Sequence, residues 1–374
     1  LSGVPLRQVA RTVKLFVQGL CGTDMTIQAL QDSLSQETLA RATVSQDGRT
    51  ISLPSLLRRY PTAEENTRLY LVMAAHEAGH VEFGTYRLTL EPFADLIVAL
   101  RQKYGRTKQA EPDSLASLFR FYPHPGLIQD LWTLVEDARV EFLLQQEYPG
   151  LQRDLQQLAR ESIETRSLTH GLTVKELVVD QLLQLSTAAS QPVAIHEAIK
   201  EEIAILWPLC QAILVPTARA EESVLLAHGL YVRLEELLAP KGAMIQGAQA
   251  DDASEEVGVG PSASEQTGEA YRPVTNWVYR GSMNPEFIRQ NAQDGRDQED
   301  QPQSEEIQRM ASAAGGSQEA SSQGQQNRGG TRTETEGDRL AGGRQLPSQV
   351  EELLNLKVEQ PAPVDQAGPG DRAI

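Results

Sequence analysis

Apolar residues recur at helical spacing through the first two thirds of the chain and then stop. Up to about Pro240 they fall three and four apart, the repeat of helices with buried faces; beyond it the text turns to Gln, Ser, Gly and Glu. This break predicts a mainly α, multi-helix domain over residues 1–240 and an acidic low-complexity tail over 241–374. The tail lacks the apolar area that would offset the entropy of folding and is expected to be disordered. A hydrophobic content of 40% over 374 residues is likewise too low for one core along the whole length.

The formal charge of -17 argues against nucleic acid and anionic membrane surfaces as partners, because phosphate recognition needs clustered Lys and Arg. Cys21 and Cys210 form neither a disulfide framework nor a CxxC knuckle, which points to a reducing compartment, the cytoplasm. No apolar stretch approaches the roughly 20 residues that span a bilayer. No signal-peptide pattern opens the chain, and its start at Leu1 reads as an excised fragment.

Leu6, Val9, Val13, Phe16, Val17 and Leu20 form one helical stripe that Gly22 can end. "RATVSQDGRTISL" predicts a short hairpin turning at Asp47-Gly48. Thr62 and Glu65 make a capping box for a helix running to about Phe83. Further helices are expected at Phe93–Lys103, Ser114–Phe121, Leu127–Glu147, Leu151–Thr165, Thr173–Leu185, Val193–Ile213 and Ala220–Leu238. Two islands interrupt the tail. Residues 271–287 concentrate Tyr271, Trp277, Tyr279 and Phe287, and are expected to dock on the helical domain; seated beside His76 they would plug it. Residues 346–358 have Ser348 and Glu351 placed to cap a short helix, a second docking segment.

The chemistry lies in "LVMAAHEAGHVEFGTY". Residues four apart on a helix share a face, so His76 and His80 can direct both imidazoles at one metal ion. Glu77 projects beside them, placed to take a proton from water, which is why HExxH reads as a zinc hydrolase signature. Apolar flanks on both sides mean that an unpaired His and Glu there would be costly. Ala74, Ala75, Ala78 and Gly79 leave room for a close neighbour.

A catalytic zinc needs a third protein ligand. His124, His170, His196 and His228 are isolated and unpromising, whereas "LIQDLWTLVEDARVEFLLQQ" is apolar nearly all round yet carries Glu136, Asp137, Arg139 and Glu141 at its centre. Glu136 is the expected third ligand, with Glu141 and then Asp137 as alternatives; the competing reading is an internal salt-bridge cluster around Arg139.

"AAHEAGHVEFGTY", "LVEDARVE" and "YPGL" together resemble the N-terminal region of the nitric oxide reductase activation proteins of NorD type and the related CbbO adaptors, over roughly Arg58 to Leu151. That resemblance implies a helical region, then an acidic linker and a von Willebrand factor A domain, working with a MoxR-type AAA+ ATPase on a client protein. No DxSxS motif of such a domain occurs in this chain. Two functions are therefore expected. One is a zincin-like (gluzincin-type) metallopeptidase with zinc on His76, His80 and Glu136 and Glu77 as general base. The other is a non-catalytic adaptor domain stabilised by zinc. An open cleft favours the first, a closed site the second.

Overall fold

The computed structural model describes residues 3–30, 41–166, 171–187, 192–247, 271–274, 277 and 279–289. Among these the chain is mainly helical, with little strand. The second docking segment, 346–358, and nearly all of the tail lie outside the described residues.

The first helix, α1 (Leu6–Cys21), buries Leu6, Val13 and Val17, and Gly22 closes it with φ of 66° and a backbone bond to the Gln18 carbonyl. Three strands follow: β2 (Thr26–Ala29), β3 (Thr43–Val44) and β4 (Thr50–Leu53), in the order β2-β4-β3. The expected hairpin is β3 with β4, antiparallel, and Gly48 takes a φ of 68° at its turn. Pairing of β2 parallel to β4 depends on a long-range contact that no local pattern announces. The same holds for the two-residue strands β1 (Val4–Pro5) and β5 (Leu56–Leu57), which pair antiparallel.

α2 (Ala63–Glu82) carries the HExxH motif. Its capping box is complete: the Glu65 amide donates to Thr62 Oγ1 and the Thr62 amide to Glu65 Oε2, each at 3.2 Å. Then come α3 (Ala94–Lys103), α4 (Leu115–Phe119), α5 (Pro125–Glu147), α6 (Pro149–Thr165), α7 (Val174–Thr187), α8 (Lys200–Gln211) and α9 (Ala220–Gly247). The helix expected from Val193 begins only at Lys200. His196 is extended and its Nδ1 accepts the Ala198 amide, so a short 3-10 turn precedes α8.

Two hydrophobic clusters share α5. One gathers the sheet with α1, α2 and α6; the other gathers α3, α4, α7, α8 and α9. α5 contributes Val140 and Leu144 to the first and Leu127, Leu131, Trp132 and Val135 to the second, which explains why its sequence is apolar nearly all round. α2 crosses α5 at Gly79, where an added Cβ would stand 2.8 Å from Val140 Cγ1 and 3.0 Å from Leu144 Cδ1. Only glycine permits so close a crossing, and it brings the charged centre of α5 against the histidines of α2.

Residues 271–274, 277 and 279–289 return across this body as a strap. Tyr271 donates to Asp130 at 2.7 Å, Trp277 is buried under the Arg166 guanidinium, and Glu286 holds Ser114 and Arg120 at the far end. Val274, Trp277, Met283 and Ile288 join the second cluster while Tyr279 joins the first.

Candidate metal centre

One turn of α2 separates His76 from His80, and both rings are buried. Their Nε2 atoms face each other at 3.2 Å. Asp137 Oδ1 stands 3.3 Å from His80 Nε2 and 3.6 Å from His76 Nε2. A tetrahedral ion with bonds of about 2.0–2.1 Å sets its ligand atoms about 3.3–3.4 Å apart, so the three atoms already form one face of such a site.

Thr85 favours, for a neutral His80, the tautomer that a ligand needs. Thr85 donates its hydroxyl proton to Glu136 Oε1, so its lone pair must accept from His80 Nδ1, 3.0 Å away. When His80 is neutral, an Nδ1–H donated there leaves Nε2, which faces His76 and Asp137, as the nitrogen a metal would take. Thr85 reaches back to the helix because Gly84 turns with φ of 85°, a left-handed conformation that other residues rarely adopt.

Sequence reasoning expected Glu136 as the third ligand; the structure brings Asp137, its second alternative, to the two histidines, in a group that could hold a metal ion. The Glu136 carboxylate turns to Arg139, with Nε–Oε2 at 2.8 Å and Nη2–Oε1 at 2.5 Å, and to Thr85. Burial would push Glu136 upward, but the Arg139 charge and hydrogen bonds hold it below the usual carboxylate range. Arg139 in turn donates to the Phe83 and Ala218 carbonyls, so the internal salt bridge read from sequence exists and supports Thr85 from behind. Glu141, the other alternative, binds Arg280 and stands 3.6 Å from His76 Nδ1. On the helix Val140 and Leu144, which meet Gly79, lie between Glu136 and Asp137, so both carboxylates border the crossing; Arg139 and Thr85 draw Glu136 to one side and leave Asp137 to the histidines.

Burial of Asp137 is overcome by hydrogen bonds from both histidines and by the charges of His76 and Arg280, which keep it well below the ordinary range and therefore anionic. Glu77 behaves in the opposite way. Burial pushes it up to about 7, opposed by the His80 charge and reinforced by Asp137. It is 1% exposed, its Oε2 has no partner, and Gly281 packs against its Oε1. Tyr86, which sequence reasoning passed over, brings a buried, unpartnered hydroxyl toward the same carboxylates; burial and the charges of Glu77, Asp137 and Glu136 raise it well above the usual tyrosine value. Its only sequence signal is its place just after the motif, beside Thr85.

The remaining histidines stay away from this group. His124 meets Lys175, His228 meets Tyr122 and His196 caps the turn before α8, whereas His170 lies outside the described residues. Cys21 and Cys210 are buried free thiols. Among the described residues, no helix is long and apolar enough to cross a membrane.

Compared with family models, with curated proteins and with solved structures, the chain matches none. The reading of this site therefore rests on its own geometry.

Proposed function

We propose that this chain is a zinc-dependent metallohydrolase of peptidase type, zincin-like in how it builds its site. His76, His80 and Asp137 hold the metal, and Glu77 is the general base. The observation that carries this reading is the pairing of a three-atom ligand face with a carboxylate that takes no part in it. Two nitrogens and a carboxylate oxygen make a donor set suited to zinc, and three protein ligands are what a catalytic site offers where a structural site has four.

Zinc held there would supply Lewis acidity, polarising a carbonyl and acidifying water. The chain's own residues do the rest. Glu77, raised toward neutrality by burial, can take a proton from water as it adds to an amide carbon and return it to the nitrogen as the C–N bond breaks. Thr85, backed by Glu136 and Arg139, fixes the His80 ring. The Tyr86 hydroxyl is a neutral donor with nothing to bind but what enters the site.

One observation favours the adaptor reading: His76, Glu77 and His80 are almost wholly buried, and closed sites are the structural kind. The cover, however, includes the strap, a segment remote in sequence. A structural role also leaves the buried Glu77 without purpose. Partnership with a MoxR-type AAA+ ATPase and a client protein rests on the sequence resemblance alone.

The test is Glu77→Gln. Zinc content is expected to be unchanged while hydrolysis of a peptide panel falls by about 100-fold or more. Loss of zinc in that variant would make Glu77 structural, and wild-type protein inactive on every peptide after strap release would leave the adaptor reading.

A further inference from the structure

The strap does more than cover the site. Tyr279 stands edge-on to His76, with ring centroids 6.4 Å apart, and is 1% exposed. Arg280 is 2% exposed and extends into an acidic recess, where Nε and Nη2 bind the two oxygens of Glu141 at 2.7 and 2.8 Å and Nη1 lies 3.9 Å from Asp137 Oδ2. The next residue, Gly281, packs directly against the Glu77 carboxylate. Beyond it the Ser282 amide donates to the Ala42 carbonyl at 2.9 Å, just before the edge strand β3.

These are the marks by which a polypeptide is bound: a main-chain hydrogen bond beside a strand edge and a recess for a particular side chain. The carboxylate that returns a proton to a leaving nitrogen must lie beside the bond that breaks, and here Glu77 lies against Gly281, next to the Arg280–Gly281 peptide bond. A bidentate guanidinium–carboxylate pair in a buried recess is selective, because lysine cannot reproduce the planar fork.

We infer that residues 279–282 occupy the substrate groove of this centre as a built-in ligand, and that the groove takes extended polypeptide with arginine seated against Glu141. The hydrolytic role of the groove rests on the function proposed above; its occupancy and its preference for arginine do not. Glycine is required at the crossing point. A Cβ at Gly281 would stand 1.7 Å from Glu77 Oε1 and 2.6 Å from the Ala42 carbonyl oxygen, and the carbonyl is backbone that cannot swing aside.

Gly281→Ala should therefore eject the strap. Trypsin is expected to cut after Arg280 at least tenfold faster in the variant than in the wild type. A fluorescent peptide with the sequence of residues 277–284, WVYRGSMN, should bind the variant at least tenfold more tightly than it binds the wild type. The same peptide with glutamine in place of arginine should lose at least tenfold in affinity. Arg280→Glu sets another carboxylate against Glu141 and Asp137 and serves if Gly281→Ala does not fold; it removes the tryptic site, so its readout is the peptide alone, with the arginine peptide expected to bind at least tenfold more tightly than to the wild type. Equal affinity for the arginine and glutamine peptides, or no gain in peptide capture by either variant, would overturn the inference. Capture of the arginine peptide without cleavage in the presence of zinc would count against hydrolysis and leave the groove standing. Cleavage of unrelated peptides with no preference for arginine would do the reverse.

Discussion

Adjacent carboxylates on α5 do different work, and substitutions separate them. Asp137 faces His76 and His80, whereas Glu136 faces Arg139 and Thr85. Asp137→Ala removes a ligand and should leave the purified protein well short of one zinc per chain. Glu136→Gln should keep the stoichiometry and weaken zinc roughly 10–100-fold, the usual cost of disturbing a residue that orients a ligand. Elemental analysis and competition with a chelator of known affinity measure both. The reverse order would return Glu136 to the metal, where sequence reasoning had placed it. The motif on α2 was legible because a helix fixes the spacing of His76 and His80 by itself. The third ligand was not legible, because α5 is apolar on nearly every side and nothing local says which face meets α2. The crossing at Gly79 brings the charged middle of α5 to the histidines, and the pairing of Glu136 with Arg139 and Thr85 leaves Asp137 facing them.

Helix boundaries were read well where a cap or a glycine marks them, as at Thr62, Gly22 and Ser114, and poorly where a histidine took an amide that a helix would have used, as at His196. Packing between elements gives two predictions. Gly79→Ala gains about 1 kcal/mol of helix propensity but inserts a methyl into the α2–α5 crossing, where overpacking costs about 1–3 kcal/mol. The net should be destabilisation of up to about 2 kcal/mol in urea unfolding. Zinc affinity should fall as well, because the wedge moves Asp137 away from the histidines. A variant as stable as the wild type with unchanged affinity would show that the crossing does not set the site.

His228 on α9 gives a pH signature away from the metal. Burial, helped by the Lys103 charge, lowers it from 6.5 to about 4, and its Nδ1 takes the Tyr122 hydroxyl 3.0 Å away. The unfolded chain protonates this histidine first, so its contribution is complete above about pH 6.5 and is lost as pH falls toward 4. Between pH 7 and 4.5 the wild type should lose about 2–3 kcal/mol more than His228→Gln in chemical denaturation. Parallel curves for the two proteins would contradict the assignment.

At the scale of the whole molecule, α5 joins two cores, and the centre lies where the first core, the charged middle of α5 and the strap meet. The composition break near Pro240 set the expected boundary, which α9 crosses on its way to Gly247, and the aromatic island within the tail stood out by its four rings. What the island contacts could not be read, since Arg280 meets Glu141 across 139 residues and no local pattern encodes so distant a pair. Nor did the sequence show that the chain's own backbone would lie on Glu77. The central claim is that His76, His80 and Asp137 hold one zinc ion with Glu77 left free. The most direct measurement is anomalous diffraction from crystals of the zinc-loaded protein on the two sides of the zinc edge. The account predicts one peak about 2.0–2.2 Å from His76 Nε2, His80 Nε2 and an Asp137 carboxylate oxygen, with Glu77 outside bonding distance. No peak between these residues, or a peak ligated by Glu77 or Glu136 in place of Asp137, would contradict it.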